Sequence, residues 1–489
     1  MFYDLKLNDT KPVYLQIKDY IKSMILSGML QKDIKLPSTR ELSSILNVSR
    51  NTVIEAYKYL EDEGFVYTVR GRGFYVSNVE INRQDEWNFN WSSEFNSYAK
   101  LSEELDIVKS EPVWKRGMIS FKSIAPDNSY FDVEEVKKAF LNRMALEGDK
   151  LLNYGYAKGY KPLIEYLMKY MEGKGVAKEG KDILITNGFT EAFDILLSSL
   201  TNSGDKIICE NPTHNTAIKI MKLHGLNIEG VELDDDGINL EKLKNKITKD
   251  TKLAYLIPSY HNPTGIIMPP EKRIEVFNIF KEYNVPIIED GFNEELRYSG
   301  SHVAPIAALC GKGNGVIYIG SFSKVLFPGL RIGWIMADKD LISVLESVKR
   351  SRNIHTSFID QAILFEYLNG GNFEKYIKRV RKIYKEKYEC AVKCAKKYIP
   401  NKKILGEGGL HIFLELSDEI DTRDVLSECM KKGVIFMPGD IFYTDGRGKN
   451  TLRLGFSRNS IEDIEKGFKI IGNVVKNMNM EVTKWKLEF

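Results

Sequence analysis

The stretch SFSKVLFPGLRIGW, residues 321–334, contains one lysine, Lys324, in a run of small, aliphatic and aromatic residues. Lysine is almost never buried unless it is paired or used covalently. The other interpretation is a snorkelling lysine, whose stem packs on apolar surface while its ammonium reaches water. The stretch leaves both interpretations open, so the rest of the chain must decide what Lys324 does.

The composition is that of a multidomain globular protein. The chain has 489 residues, which exceeds the roughly 100 to 200 residues of one domain. Its net charge of +3 argues neither for nor against nucleic acid. Five irregularly spaced cysteines and six histidines, with no CxxC pair, predict no metal site and reduced cysteines in a cytoplasmic protein. No apolar run reaches about 18 residues, so the sequence predicts no membrane span.

Residues 1–78 predict three helices followed by a hairpin. PVYLQIKDYIKSMIL has apolar residues at helical spacing, and Ser38 with Glu41 has the spacing of a capping box. Ser49 caps a third helix, and FVYTVRGRGFYVS alternates like two strands around Gly71. Three helices and a hairpin in this order predict a winged helix-turn-helix domain.

The cations of this domain are placed at the tips that would face a DNA duplex. A recognition helix brings its N-terminal residues to base edges, and a narrow wing can enter the minor groove. Arginine and asparagine suit bidentate contacts with guanine and adenine. The candidate DNA-binding residues are Arg40, Ser49, Arg50, Asn51, Thr52, Arg70, Gly71 and Arg72.

The chain after residue 78 divides into a linker and a large α/β domain. Residues 79–116 carry eight acidic and five basic residues with little periodicity, which predicts a linker. From 117 to 489, helical segments alternate with the short runs DILIT, DKIICE, LAYLIP, VPIIED and VIYIGS. This alternation predicts a mostly parallel sheet covered on both faces. We expect a larger part at about 150–340 and a smaller C-terminal part at about 345–489.

Residues that could bind a ligand stand at the ends of four of these predicted strands. Gly188 comes after DILIT, Asn262 after LAYLIP, Asp290 at the end of VPIIED and Lys324 after VIYIGS. Ligands of parallel α/β sheets bind at the carboxyl ends of the strands, so we expect the four residues to meet at one site.

The residue types at these positions match the requirements of pyridoxal 5′-phosphate (PLP). A desolvated lysine can form a Schiff base, and a carboxylate can pair with a protonated pyridine nitrogen. A helix start, hydroxyl groups and an arginine can bind the phosphate. The candidate cofactor-binding residues are Lys324, Asp290, Asn262, Gly188, Phe189, Thr190, Ser321, Ser323 and Arg331, with His214 stacked on the ring.

Two known families resemble this chain. LPSTRELSSILNVSRNTVIEAYKYLEDEGFVYTVRGRGFYV is similar to the GntR-type winged-helix family, which implies DNA contacts from the matching arginine, asparagine and threonine positions. NPTG, ED and SFSK with its following arginine resemble, in this order, the fold-type I, aspartate-aminotransferase-like PLP enzymes. Together the two halves resemble the MocR-like regulators, a GntR subfamily, across nearly the whole chain.

The resemblance assigns further roles to individual residues. Lys324 and Asp290 fall on the catalytic Schiff-base lysine and the pyridine partner, and Arg453 falls on the arginine that holds the α-carboxylate of an amino acid. Tyr154 resembles a tyrosine that reaches the phosphate of the partner subunit, which implies a head-to-tail homodimer. The implied effector is an amino-acid-like molecule or PLP itself.

Two positions depart from the MocR-like pattern. Phe292 replaces a tyrosine that bonds the phenolic oxygen of PLP, and Phe189 replaces a serine or threonine. The sequence therefore supports a PLP-dependent regulator and leaves open a working aminotransferase that carries a DNA-binding domain. A third reading, a binding module without PLP, would require Lys324 to have no covalent role.

Overall fold

The computed structural model describes residues 2, 5–9, 11–78, 89–110, 113–291 and 293–488. Two compact units divide at residues 95 and 96. The helices are α1 (Val13–Leu26), α2 (Thr39–Leu46), α3 (Arg50–Asp62), α4 (Trp91–Glu94), α5 (Ser97–Glu104), α6 (Ile107–Ser110), α7 (Val133–Glu147), α8 (Asp149–Leu152), α9 (Lys161–Gly173), α10 (Phe189–Leu200), α11 (Asn215–Leu223), α12 (Leu240–Lys246), α13 (Pro270–Glu282), α14 (Ile306–Leu309), α15 (Lys339–Arg352), α16 (Phe358–Asn369), α17 (Asn372–Tyr398), α18 (Thr422–Lys431) and α19 (Ile461–Glu488).

The strands form four sheets across the two units. They are β1 (Val66–Val69), β2 (Gly73–Val76), β3 (Ile119–Ser120), β4 (Lys181–Thr186), β5 (Lys206–Asn211), β6 (Asn227–Asp234), β7 (Gly237–Ile238), β8 (Thr251–Leu256), β9 (Ile287–Asp290), β10 (Val316–Ser321), β11 (Gly333–Asp338), β12 (Lys403–Leu405), β13 (His411–Glu415), β14 (Val434–Ile435), β15 (Met437–Pro438) and β16 (Thr451–Gly455).

The first unit contains the predicted winged helix. Helix α2 begins with the predicted capping box, in which the Glu41 amide donates to Ser38 Oγ and the Ser38 amide donates to Glu41 Oε2. Asn47, in the left-handed region with φ of 50°, turns the chain between α2 and α3. Strands β1 and β2 pair antiparallel as the wing. The core of this unit is apolar and includes Ile17, Ile21, Leu42, Val53, Ala56 and Leu60.

The second unit is built on an eight-stranded sheet in the order β4-β11-β10-β9-β8-β5-β6-β7. Strands β5, β6, β8, β9 and β10 pair parallel, whereas β11 pairs antiparallel with β10 and β4. All five runs predicted as strands are strands. They could be recognised in the sequence because a strand of a sheet that is covered on both faces is apolar throughout. The predicted α/β class is confirmed.

A second, antiparallel sheet in the order β12-β13-β16-β15 lies in the C-terminal part. Arg453, in the middle of β16, pairs with Phe413 of β13 and Met437 of β15. The second unit has a large and a smaller hydrophobic core, and the expected limits of its two parts, about 150–340 and about 345–489, stay predictions. Helix α16 and the start of α17 pack in the large core, whereas Ile119 and Phe121 pack in the small core.

The predicted linker also contains structure. Helix α5, within 79–116, belongs to the second unit and contacts α11. The limits 1–78, 79–116 and 117–489 stay predictions. In the described part of the chain, no helix combines the length and the apolar content that a bilayer crossing needs.

Candidate functional site

Lys324 lies in the turn that follows β10, and its side chain is half-buried. Burial, together with the positive charges of Arg453, Arg331 and Arg458, lowers its pKa to about 8, against the opposing charge of Asp290. Within the described residues, Lys324 forms no ion pair with a carboxylate. A lysine in this setting is neutral far more often than a surface lysine, which makes its amine a better nucleophile.

Asp290 is the last residue of β9 and is only 6% exposed. Its carboxylate accepts a hydrogen bond of 2.9 Å from the Tyr255 hydroxyl on the neighbouring strand β8. Burial raises the pKa of Asp290 to about 7, while the bond from Tyr255 acts in the lowering direction. This buried carboxyl suits a cationic partner, such as a protonated ring nitrogen, that would hold it ionised.

Tyr255 is a positioning residue that the sequence analysis missed. It lies in the middle of the apolar run LAYLIP, which the sequence predicts as a strand. A buried tyrosine hydroxyl usually has a hydrogen-bond partner, so the sequence indicates that Tyr255 needs one. It does not indicate that this partner is Asp290.

We expect Tyr255→Phe to weaken PLP binding roughly tenfold, because a hydrogen bond to a charged group contributes about 1.5 to 3 kcal/mol. The measurements are the equilibrium dissociation constant of PLP and the pH profile of the bound cofactor's absorbance, which a purely structural role would not shift. Tyr376→Phe is the control, since among the described residues the buried Tyr376 hydroxyl has no partner. Equal effects of both variants would contradict the role of Tyr255.

Arg453 and Asn262 join the small sheet to the loop after β8. Arg453 Nη1 donates to Asn262 Oδ1 at 2.8 Å, and Nη2 donates to the Lys122 carbonyl at 3.1 Å. The guanidinium lies over the Phe442 ring, 4.9 Å from its centroid. Burial lowers the pKa of Arg453 to about 9. A buried arginine without a carboxylate partner is suited to an anionic ligand.

The turn after β4 and the arginine after β10 are interlocked. Gly188 has a φ of +80°, and a Cβ on it would lie 2.8 Å from Arg331 Nη2. Arg331 Nη2 also donates to the Asn187 carbonyl at 3.3 Å. Helix α10 begins at Phe189, and its second residue, Thr190, is exposed. The first amides of the helix are therefore available to an anion.

Two serines lie at the end of β10, Ser321 as its last residue and Ser323 in the turn after it. The Ser321 hydroxyl donates to the Ile332 carbonyl at 3.4 Å and accepts from the Ser323 amide at 3.2 Å. The Ser323 hydroxyl is buried and has no partner among the described residues. Both predicted phosphate-binding hydroxyls therefore lie in the same turn as Lys324.

His214 precedes α11 and packs beside the start of α10. Its ring centroid lies 5.1 Å from that of Phe189. Burial lowers the pKa of His214 to about 3, and the charges of Lys324 and Arg453 act in the same direction. A neutral imidazole in this position is compatible with the predicted stacking on a cofactor ring.

One predicted position, Tyr154, lies apart from this group, and another, Phe292, is not among the described residues. Tyr154 is 79% exposed, and its ring lies 6.2 Å from that of His355. Phe292, on which the predicted departure at the phenolic oxygen depends, lies outside the described residues. Its consequence for turnover stays a prediction.

The predicted DNA-binding residues lie on the surface of the first unit. Arg40, Arg50 and Asn51 are exposed, and Arg50 Nε donates to Thr39 Oγ1 at 3.3 Å. Ser49 and Thr52 have a second role, since the Ser49 hydroxyl accepts from the Thr52 amide as the N-cap of α3. At the wing tip the exposed residues are Arg70, Gly71, with a φ of 78°, and Arg72.

The donor set of the second unit fits PLP. Asn262 Nδ2 and His214 Nδ1 are buried and, within the described residues, have no hydrogen-bond partner. Arg331 is exposed and bonds only a carbonyl there, so its charge is available to a phosphate. The site thus supplies an amine of lowered pKa, a buried carboxyl and an anion-binding turn, as PLP requires.

Comparisons with known proteins agree with this geometry. Residues 124–471 match the family described as aminotransferase class I and II, and residues 13–76 match the bacterial regulatory proteins of the gntR family. Aromatic-amino-acid aminotransferase 1 of Thermococcus litoralis is 33% identical, over 77% of this chain and 91% of its own length. A multiple substrate aminotransferase from Thermococcus profundus has a solved structure with a TM-score of 0.75 and 31% identity, covering 80% of this chain and 100% of its own.

A regulator matches more of the chain than these enzymes do. YisV of Bacillus subtilis, an uncharacterized HTH-type transcriptional regulator, is 28% identical over 96% of this chain and 97% of its own length. The resemblance expected from the sequence is confirmed. The chain belongs to the class I and II aminotransferase family, with PLP as the indicated cofactor, and its gntR-family N-terminal region gives it the organisation of the MocR-like transcriptional regulators.

Proposed function

We propose that this protein is a cytoplasmic transcriptional regulator that senses an amino-acid-like effector, or PLP itself, at a PLP-loaded site. The observation that supports the proposal is that Asp290 ends β9 and Lys324 follows the neighbouring strand β10, while Arg453 bonds Asn262 after β8, in a chain with a winged helix. A ligand can shift the winged helices on DNA only if it binds the two arrangements with different affinity.

The residues of the site divide the work. PLP, when bound, supplies an aldehyde for an amine and a ring that accepts electrons. Lys324 is the attachment point, and Asp290 holds the proton of the ring nitrogen. Asn262 donates to the phenolic oxygen, and His214 covers the ring face. The phosphate is held by Gly188, Phe189, Thr190, Ser321, Ser323 and Arg331.

Arg453 holds the α-carboxylate of the effector. Its position supports this role, because the guanidinium is buried and its described hydrogen bonds go to neutral oxygens. Binding a carboxylate would satisfy a charge that the described residues leave without a counter-ion.

The active form is a head-to-tail homodimer in which Tyr154 reaches the phosphate of the partner subunit. Support comes from the exposure of Tyr154 together with a group of large apolar side chains nearby in sequence. Such exposed apolar surface is typical of an interface. These exposed side chains are Leu141, Leu146, Leu152 and Tyr156.

The DNA interface consists of the N-terminal turn of α3, Arg40 and the wing. We expect Arg50→Ala to weaken operator binding by about 1 to 3 kcal/mol and to relax the sequence preference at one position, if Arg50 reads guanine. Lys58→Ala, which removes an exposed charge from the same helix, is the control and should weaken binding to all sequences alike. Fluorescence anisotropy on selected and scrambled duplexes measures both effects.

The proposed function is tested by following cofactor and DNA in one titration. Purified protein is loaded with PLP, an operator is selected from random duplexes, and amino acids are added while absorbance and DNA affinity are recorded. We expect one class of amino acid to change both signals. A protein whose DNA affinity responds neither to amino acids nor to PLP would contradict the proposal.

A working aminotransferase that carries a DNA-binding domain is the second candidate. Support comes from Lys324, Asp290 and Arg453, which are the residue types that such an enzyme needs, and from the named enzyme relatives, which match most of the second unit. Repeated turnovers of an amino acid and a 2-oxo acid, at the rates of about 1 to 1,000 per second that are typical of enzymes, would favour this candidate.

A further inference from the structure

The surroundings of Lys324 carry an excess of positive charge. Arg453, Arg331 and Arg458 all lie close enough to act on Lys324, and Asp290 is the opposing charge. Within the described residues, none of the three arginines forms an ion pair with a carboxylate. Their described hydrogen bonds go to the Asn262 side-chain oxygen and to backbone carbonyls.

The proposed function assigns an anionic partner to two of these arginines and none to the third. Arg331 would face the phosphate of PLP, and Arg453 would face the α-carboxylate of the effector. Arg458 then has no anion, although it follows the same strand that carries Arg453. An arginine near a ligand site without a counter-ion is a candidate for a further anionic group of the ligand.

Arg458 and Arg453 are anchored on one short stretch of chain. Arg453 donates to the Lys122 carbonyl at 3.1 Å, and Arg458 Nε donates to the Pro126 carbonyl at 3.2 Å. Lys122 and Pro126 are four residues apart, and four residues of extended chain reach at most about 14 Å, so the two anchoring carbonyls lie within that distance of each other. The Ser457 hydroxyl donates to the Ala125 carbonyl at 2.6 Å, which fixes the backbone beside Arg458.

The anchoring of Arg458 leaves its ligand-binding edge available. Only Nε is engaged by Pro126, and the side chain is exposed. The two terminal amino groups of a guanidinium match the two oxygens of a carboxylate in a planar, bidentate contact. The orientation is therefore held by one bond while the charge faces solvent.

We propose that Arg458 binds a second carboxylate of the effector and that the effector is a dicarboxylic amino acid. This inference rests on the proposed function, in which Arg453 takes the α-carboxylate. Arg458 recognises the side-chain carboxylate. A purely structural role, in which Arg458 only holds Pro126, is the alternative that the experiment must separate.

The test compares acids with their amides on PLP-loaded protein. Calorimetry measures the dissociation constants of L-glutamate and L-glutamine, of L-aspartate and L-asparagine, and of L-2-aminoadipate. We expect the acid of at least one pair to bind at least about tenfold more tightly than its amide in the unmodified protein. The preference should fall as salt is raised, because the exposed pair is screened.

Variants of Arg458 assign the preference to one side chain. Arg458→Gln keeps an N–H for the Pro126 carbonyl but removes the charge, so the acid-to-amide ratio should fall to about one with amide affinity unchanged. Arg458→Lys should retain much of the ratio. Arg379→Gln is the control, since Arg379 is also exposed and donates to a backbone carbonyl, that of Tyr130, although it also pairs with Asp132. It should leave the ratio unchanged.

Three results would overturn the inference. Equal affinity of acids and amides in the unmodified protein removes its basis. An equal loss for acid and amide in Arg458→Gln assigns Arg458 a structural role only. Binding of no amino acid by protein whose absorbance confirms loaded PLP overturns the amino-acid effector as well, whereas the first two results leave the proposed function intact.

Discussion

Replacing Lys324 with alanine is expected to abolish covalent attachment of PLP and, with it, the visible absorbance of the loaded protein. The lysine lies in the turn after β10, and burial together with three arginine charges lowers its pKa to about 8. A neutral amine can attack the aldehyde, and no alanine can. Intact-mass measurement after borohydride reduction will show a PLP adduct on the unmodified protein and none on Lys324→Ala.

Lys349→Met is the matched control for this experiment. Lys349 is fully buried in α15, and burial lowers its pKa too, but it donates to Asn353 and Thr356. Methionine preserves the apolar volume of the side chain, and the adduct should remain. An adduct that survives in Lys324→Ala would return Lys324 to the snorkelling interpretation.

Replacing Arg453 with methionine is expected to lower the affinity for a carboxylate effector by about 100-fold to 20,000-fold. A bidentate contact provides two hydrogen bonds to a charged group, each contributing about 1.5 to 3 kcal/mol. The full effect is expected because Arg453 is only 6% exposed, so water does not screen the pair. Calorimetric titration of PLP-loaded protein measures the loss.

The control is the decarboxylated analogue of the effector, an amine with the same side chain but no α-carboxylate. Its affinity should not change between the unmodified protein and Arg453→Met, and PLP should remain bound in both. A retained response of the variant to amino acids would mean that the effector is recognised without its α-carboxylate, or that PLP itself is the effector.

The residues that could be predicted from sequence are those with a local signature. Lys324 and Asp290 each stand where an apolar run stops, and strand ends of a parallel sheet meet at one edge. The capping box of α2 likewise depends on only four consecutive residues, and it is present in the structure.

Contacts between distant segments could not be predicted in this way. The hydrogen bond from Arg453 to Asn262 joins residues 191 positions apart, and no periodicity or spacing encodes it. The hydrogen bond of Tyr255 could not be predicted either, because Tyr255 lies within an apolar strand and its partner Asp290 belongs to the next strand of the sheet. Arg458 carried no motif and became informative only through the charges around it.

The predicted linker shows the same limit on a larger scale. An acidic stretch without clear periodicity was expected to connect two domains. The linker stays a prediction, and residues of α5 within it pack on α11, which begins directly after His214. A short polar helix is stabilised mainly by the surface that it contacts, and that surface lies more than a hundred residues later.

The interlocked turn around Gly188 bears on how this protein can change during evolution. A Cβ on Gly333 would lie 2.8 Å from Gly188 Cα, and a Cβ on Gly188 would lie 2.8 Å from Arg331 Nη2. Neither glycine can be exchanged without displacing the other or the arginine, so this half of the site is fixed by backbone. An exposed side chain such as Arg458 can be replaced at little cost to folding. A library that varies the surface side chains around Arg453 should therefore produce regulators with new effectors while the cofactor half stays the same.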